Sequence, residues 1–263
     1  MGIGHLLRRG LAAGAAAGLA AAVVLYLVVE PVIRRALVIE EARAAAEESG
    51  HAGHAHGHGG HGEAEAELVS RGQQVVGGML TAVVIGCLFG LVFAVVFARV
   101  RHRLPATTDH GRAWLLAGLG FFAFVLVPGV VVPSNPPAVG DPETVNQRTL
   151  LYVLAILVAV ALVLGAFTLD RALASRGLLA SRRTAIVAAG FLVACALALW
   201  ALPGTPDAIP GDVPPALIWD FRMASFAQLG TMWAVLGVMF GLLVAPRTER
   251  DGRRSLVEPV ETA

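Results

Sequence analysis

The sequence contains no lysine, and charged residues make up only 15% of its 263 residues. A phosphate-binding loop of the Walker type requires a lysine, so ATP hydrolysis by such a loop is excluded. All 20 basic residues are arginines, which stand in short clusters between apolar runs instead of forming a patch for nucleic acid. We therefore expect neither DNA nor RNA as a partner.

Cysteine and catalytic motifs are also scarce. The two cysteines, Cys87 and Cys195, each lie inside an apolar run, which is typical of small buried hydrophobic residues and not of a disulfide framework. No His-Glu-x-x-His pattern and no nucleophile elbow occurs, so metalloprotease and hydrolase chemistry lacks its residues. The sequence predicts a protein that is not an enzyme and holds no permanent cofactor.

Apolar residues, in contrast, make up 56% of the chain, and its mean hydropathy is +0.71. A helix needs about 20 apolar residues to cross the ~30 Å hydrocarbon core of a bilayer. Six runs of that length are present, at residues 10–29, 75–98, 113–132, 149–167, 184–202 and 227–245. We therefore predict an all-α, polytopic integral membrane protein, with residues 1–263 as a single membrane domain surrounded by the lipid bilayer.

Arginine predicts the orientation of these six spans, because cytoplasmic loops retain positive charge. If the N-terminus lies inside, the inner segments hold fourteen of the 20 arginines. The other six, in the outer segments, are Arg34, Arg35, Arg43, Arg71, Arg148 and Arg222. Both termini are therefore expected to be cytoplasmic. The first run follows Arg8 and Arg9 as a secretory signal would, but it is longer than the apolar part of such a signal, so we expect a retained span.

Glycines recur at the four-residue spacing that allows two membrane helices to approach closely. They are Gly10, Gly14 and Gly18 in the first span, Gly86 and Gly90 in the second, and Gly237 and Gly241 in the sixth. We expect these glycines to form packing seams. Pro128 with Gly129 predicts a bend or an end of the third helix near its outer side.

Residues 34–74 form the one long hydrophilic segment, a His/Glu-rich loop that the orientation makes extracytoplasmic. Its clustered histidines are His51, His54, His56, His58 and His61, and the possible auxiliary acids are Glu40, Glu41, Glu47 and Glu48. Imidazoles on a flexible chain can gather round a transition-metal ion without a preformed cage, and acidic neighbours raise the local cation concentration. The pattern predicts metal capture.

Two other interpretations of this histidine-rich loop stay open. It could be a solvated low-complexity linker whose histidines bind nothing, or a pH sensor, since imidazole titrates near neutral pH. The ligand type does not fix the metal either, because nickel and copper bind such ligands more tightly than cobalt does.

The predicted membrane interior offers few polar groups. Glu30 lies at the outer end of the first span, and no ionisable residue lies at the centre of any span, which argues against a proton exchanger built on carboxylates. Gln228, Thr231 and Met232 share one face of the last helix. Their amide and thioether groups could contact a metal, although such residues usually pack helices together.

Several segments of the chain, taken together, resemble one known family. They are Glu30-Pro31 with Glu40-Glu41; the histidine tract; Asn135-Pro136-Pro137-Ala138-Val139-Gly140-Asp141-Pro142 with Arg148-Thr149; and Pro214-Pro215 through Trp219-Asp220-Phe221-Arg222 with Ser225, Gln228, Trp233 and Gly237. On these residues the chain resembles, over nearly its whole length, the CbtA family of cobalt transporter subunits of bacteria. The resemblance implies cobalt uptake for cobalamin synthesis, alongside CbtB, a small single-span partner that carries histidines of its own.

The sequence and the resemblance together predict uptake of a transition-metal ion across the bacterial plasma membrane. Co²⁺ is the first candidate for the captured ion, with Ni²⁺ and Zn²⁺ as alternatives. Residues that could serve translocation or structure are Pro128, Asn135, Asp141, Trp219, Asp220, Arg222, Gln228 and Met232. The competing hypothesis is a non-transporting metal-binding or scaffold subunit, whose partner moves the ion.

Overall fold

The computed structural model describes residues 2–51, 70–137, 139–140 and 142–245, and the side chains of all of these except 47–51. The α-helices are α1 (Ile3–Val24), α2 (Glu30–His51), α3 (Arg71–Val100), α4 (Asp109–Phe121), α5 (Val127–Val131), α6 (Val145–Ser175), α7 (Ala180–Ala201) and α8 (Pro215–Val244). Two π segments, Leu25–Val29 and Phe122–Leu126, connect α1 to α2 and α4 to α5. Short 3₁₀ turns occupy Arg101–Arg103 and Pro142–Thr144. The described residues contain no strand, which confirms the all-α prediction.

Six helical stretches of the described chain are long and apolar enough to cross a membrane, which confirms the predicted number of spans. They are Ile3–Ala46, Arg71–Arg103, Asp109–Val131, Pro142–Ser175, Ala180–Ala201 and Pro215–Val244. The protein is therefore a multi-pass membrane protein.

The segment 34–74, predicted as an extracytoplasmic loop, is helical at both of its ends. Helix α2 continues to His51, and α3 begins at Arg71. The reason is helix propensity, because residues 39–48 consist of one isoleucine followed by alanines, glutamates and an arginine, which are strong helix formers even in a polar stretch. The polarity of this segment indicates contact with water but does not reveal the helices at its ends.

The described helices contribute to two compact units. Unit 1 draws on Met1–Leu25, Val76–Leu119 and Leu229–Ala263. Within it, α1 and α3 meet along the predicted glycines. A Cβ added to Gly86 would lie 2.6 Å from the Cα of Gly18. Since side-chain carbons do not approach a backbone so closely, only glycine fits here.

The C-terminal half of α8 also belongs to unit 1. The ring of Phe240 packs edge-on against Phe93 and Phe97 of α3, with each pair of ring centroids 5.1 Å apart. A Cβ added to Gly237 would lie 2.7 Å from the Cβ of Ala117 on α4. The packing seams predicted for the first, second and sixth spans are thus confirmed.

Unit 2 draws on Tyr26–Val75 and Gly120–Gln228. Its hydrophobic core consists of Ala123, Val127, Val131, Ala155 and Ala159. Helix α7 lies against α6, but none of its residues is buried. The apolar side chains of α7 are therefore available to lipid.

Two prolines each follow a π segment by two residues. They are Pro31 in the first span and Pro128 in the third. Proline lacks an N–H and its ring displaces the carbonyl four residues earlier, which widens the helix at that turn. The carbonyl of Phe124, four residues before Pro128, accepts a hydrogen bond from the Tyr152 hydroxyl at 2.9 Å instead. The third span ends one turn later, as its Pro-Gly pair predicted.

Candidate functional site

The histidine tract predicted to capture metal lies mainly outside the described residues. His51 ends α2, while His54, His56, His58 and His61 fall in the undescribed range 52–69. Glu47 and Glu48 belong to α2, but their side chains are likewise outside the described part. Among the described residues, no group of three or more His, Cys, Asp or Glu side chains could hold a metal ion. The described helices thus supply no metal site of their own.

Helix α2, which precedes the histidine tract in the sequence, and helix α3, which follows it, are each held by ion pairs. Arg43 of α2 donates two hydrogen bonds to Asp212, from Nε to Oδ2 and from Nη2 to Oδ1, both at 2.6 Å. These bonds hold the pKa of the Asp212 carboxyl below its usual value of 3.8. Arg71, the first residue of α3, donates from Nη2 to Oε2 of Glu30 at 2.6 Å. The tract therefore runs between two anchored helices.

Glu30 is a buried carboxylate, only 5% exposed, at the start of α2. Its Oε1 accepts hydrogen bonds from Nε of Arg34 at 2.9 Å and from Nε of Arg71 at 3.3 Å, in addition to the bond to Oε2. Two arginines therefore neutralise the carboxylate and satisfy both of its oxygens. A cation could bind Glu30 only after an arginine had moved away.

A second buried carboxylate organises the segment before α6. The Asp207 side chain, 1% exposed, pairs with Nη1 of Arg148 at 3.2 Å and accepts a hydrogen bond from the Thr144 hydroxyl at 2.5 Å. Gly140 has a φ of +129°, which favours glycine, and a Cβ there would lie 3.2 Å from the same Nη1 atom. This segment is therefore folded around the guanidinium group of Arg148.

The two remaining arginines of the predicted outer segments contact residues that the sequence singled out. Arg35 donates from Nη2 to Oδ2 of Asp220 at 3.0 Å, and Arg222 donates from Nη2 to Oδ1 of Asn135 at 3.2 Å. The second contact joins two of the segments that carry the family resemblance. Every arginine of the predicted outer segments therefore has an acidic or amide partner within unit 2.

The other residues predicted for translocation are scattered. Pro128 is buried in α5, and Met232 is buried in α8. On α8, Trp219 is 63% exposed and Gln228 is half-buried. Asp141 lies outside the described residues. Among the described translocation candidates, the structure brings together Asn135 and Arg222.

Glu40 and Glu41 differ from five other described acids of unit 2. Both are exposed on α2, and neither makes an ion pair with any described residue. The acids already bound to arginine are Glu30, Asp170, Asp207, Asp212 and Asp220. The carboxylates of Glu40 and Glu41 are therefore not engaged by arginine within the described part of the chain.

Sequence reasoning missed the two buried carboxylates. Arg34 stands four residues after Glu30, the spacing of an ion pair on one helix, and this signal could have revealed half of the Glu30 site. Arg71 follows Glu30 by 41 residues, and no pattern in a single sequence joins them.

The family described as Probable cobalt transporter subunit (CbtA) matches residues 3–245 of the chain. The match includes all six candidate spans and all of the polar contacts above. No curated protein and no solved structure matches the chain significantly.

Proposed function

The chain belongs to the CbtA family of probable cobalt transporter subunits, and from this membership we propose that it mediates Co²⁺ uptake across the bacterial plasma membrane for cobalamin synthesis. The family match over residues 3–245 is the observation that carries this proposal. The six apolar helices support it, because a multi-pass protein can form a route through the bilayer. A transporter subunit also fits a protein without catalytic activity.

The histidine-rich segment is the proposed capture element, on the outer face of the membrane with both termini inside. Its imidazoles would bind Co²⁺, and Glu40 and Glu41 would raise the local cation concentration. Two observations support this assignment. The described residues offer no other metal cluster, and the described acids Glu30 and Asp212 are engaged with arginine. Ni²⁺ and Zn²⁺ remain the competing cargoes, because imidazole binds both well.

The membrane potential could drive this uptake. An inside-negative potential favours inward movement by about 2.3 kcal/mol per charge per 100 mV, or about 4.6 kcal/mol for a divalent ion. The family description names its members subunits, so a partner subunit is part of the proposal. We assign this role to a small single-span protein of the CbtB type with its own histidines.

The second candidate function is a non-transporting scaffold that binds metal while its partner moves the ion. It is favoured by the engagement of Glu30, because both oxygens of its carboxylate are already held by arginines and are not free to bind a metal ion. Uptake by the purified chain alone in liposomes would refute the scaffold function, because a scaffold would admit no cobalt without its partner.

The proposal is tested by radiolabelled cobalt accumulation in bacteria that lack their own uptake systems. Intact protein should exceed the empty vector, and a variant with His51, His54, His56, His58 and His61 changed to alanine should need more external cobalt to reach the same accumulation. The matched control is H5A/H102A, since His5 and His102 are exposed histidines outside the tract.

Separate outcomes address separate parts of the proposal. Equal cobalt dependence of the tract variant and the control would remove the capture role and leave transport intact. Accumulation that never exceeds the vector, even with the partner subunit present, would refute transport. Competition by Ni²⁺ or Zn²⁺ at lower concentration than Co²⁺ would reassign the cargo.

A further inference from the structure

Three arginines at the junction of α6 and α7 stand apart from the other arginines of unit 2. Unit 2 contains ten arginines, and seven of them contact an acid or an amide. The remaining three are Arg171, Arg176 and Arg182, all of them exposed. None of the three contacts an acid among the described residues. Their positive charge is therefore concentrated on one turn.

The acid closest to this turn along the chain is already engaged. Asp170 forms an ion pair with Arg183, in which Oδ1 lies 2.6 Å from Nε, and this pair joins the end of α6 to the start of α7. Gly177 lies between them with a φ of +75°, so the two helices are joined by a tight left-handed turn. Three exposed arginines thus lie within twelve residues of the chain around this turn, and the acid beside them is engaged by a fourth arginine.

Helices α6 and α7 are both candidate membrane spans, so both are surrounded by lipid. Helix α6 has 31 residues, a length of about 46 Å that exceeds the ~30 Å hydrocarbon core, so its end extends into the headgroup region. The apolar window of α7 is 0% buried within the protein. A phospholipid whose chains lie along α7 would place its headgroup beside the turn.

The first turn of α7 carries the wrong charge for its own helix. It contains Arg182 and Arg183, it has no acidic residue, and its N-cap Leu179 provides no side-chain hydrogen bond. Positive side chains are unfavourable at the positive end of a helix dipole, and a bound anion would relieve this repulsion. The helix end thus adds to the attraction that the three arginines exert.

We propose that Arg171, Arg176 and Arg182 form a binding site for the phosphodiester headgroup of an anionic glycerophospholipid. The neighbouring exposed apolar face of α7 favours a lipid over a soluble phosphate, because it also offers contact for acyl chains. Lipid binding at this site depends neither on cobalt transport nor on a bound metal ion.

The test uses the full-length protein in detergent and measures equilibrium binding of tail-labelled phosphatidylglycerol, with the phosphatidylcholine analogue as reference. An arginine near an anionic lipid surface strengthens binding about fivefold. The variant R171Q/R176Q/R182Q should therefore lose at least about tenfold in preference for phosphatidylglycerol. The matched control R8Q/R99Q/R103Q removes three exposed arginines of unit 1 and should lower this preference less than the first variant does.

A charge-preserving variant, R171K/R176K/R182K, guards against a folding defect. It should bind within about threefold of the intact chain, because lysine keeps the attraction for an anionic surface. An equal loss in the glutamine variant and in the unit 1 control would overturn the proposal, and so would a lysine variant as weak as the glutamine variant. Competition by glycerol phosphate as effective as that of the lipid would overturn the choice of a lipid.

Discussion

The α1–α3 pair of unit 1 and the α6–α7 hairpin of unit 2 are both made of long apolar helices, but they are joined in different ways. Between α1 and α3 the backbones touch at the glycines, since a Cβ added to Gly86 would meet backbone atoms of Gly14 and Gly18. Between α6 and α7 a side chain intervenes, since a Cβ added to Gly190 would meet Leu169 at an ordinary 3.6 Å. The hairpin is held at its two ends by the ion pairs Arg183–Asp170 and Arg148–Asp207.

This difference shows two ways in which a pair of helices can be stabilised inside a bilayer. Lipid tails are as apolar as leucine, so burying apolar surface between helices stabilises little inside a membrane. A pair must then gain stability from close backbone packing, as α1 and α3 do, or from polar bonds at its ends, as α6 and α7 do. We therefore expect the first pair to be sensitive to added volume and the second to lost charge.

The largest effect should come from adding one methyl group to the glycine seam. In the variant Gly86→Ala, the new Cβ would lie 2.6 Å from the Cα of Gly18, so α1 and α3 must separate. We expect a loss of about 3 kcal/mol in stability, measured by thermal unfolding in detergent. The control Gly77→Ala lies on the same helix. Its added Cβ would have no atom within 4 Å, so the substitution should be neutral or slightly stabilising. Equal unfolding temperatures of the two variants would contradict the seam.

A smaller effect should follow from removing the buried charge at one end of the hairpin. In Asp207→Asn, Arg148 loses its ionic partner in a site where the acid side chain is 1% exposed. Because Arg148 itself is 28% exposed, we expect about 2 to 3 kcal/mol, less than for a fully buried pair.

The opposite end of the hairpin provides the matched control for this variant. Asp170 is 39% exposed, so Asp170→Asn should cost at most about 1 kcal/mol. The double variant R148Q/D207N should regain part of the stability lost in D207N, because it leaves no uncompensated charge. If D170N proved as damaging as D207N, burial would not be what distinguishes the two ends.

The glycine seam between α1 and α3 could be predicted from the sequence, whereas the ion pairs at the two ends of the α6–α7 hairpin could not. Glycines four residues apart indicate close packing on any membrane helix, and the structure confirms all three sets of them. The partners Arg148 and Asp207 are brought together only by the fold, and a single sequence contains no signal that pairs them. The same reason hid the bond between Glu30 and Arg71.

The candidate capture site was predicted by composition and not by shape. A cluster of histidines between acids indicates metal chemistry in any conformation, so the prediction needs no fold. What the sequence misjudged was the helix that leads into it, since the alanines and glutamates of α2 favour a helix although their polarity resembles that of a loop. The structure adds that Glu40 and Glu41 remain unpaired among the described residues, while Glu30 and Asp212 bind arginine.

The smallest effect should come from breaking the exposed ion pair between Arg43 and Asp212. Because Arg43 holds the pKa of Asp212 below its usual value of 3.8, the pair contributes stability above that pH and loses it as the pH falls through the lowered pKa. The unfolding temperatures of intact protein and Asp212→Asn should therefore differ slightly at neutral pH and converge in acid. Salt at about 1 M should also remove this difference, while the Asp207→Asn difference should persist because a buried pair is screened less. A D212N difference that grew as the pH fell would contradict this assignment.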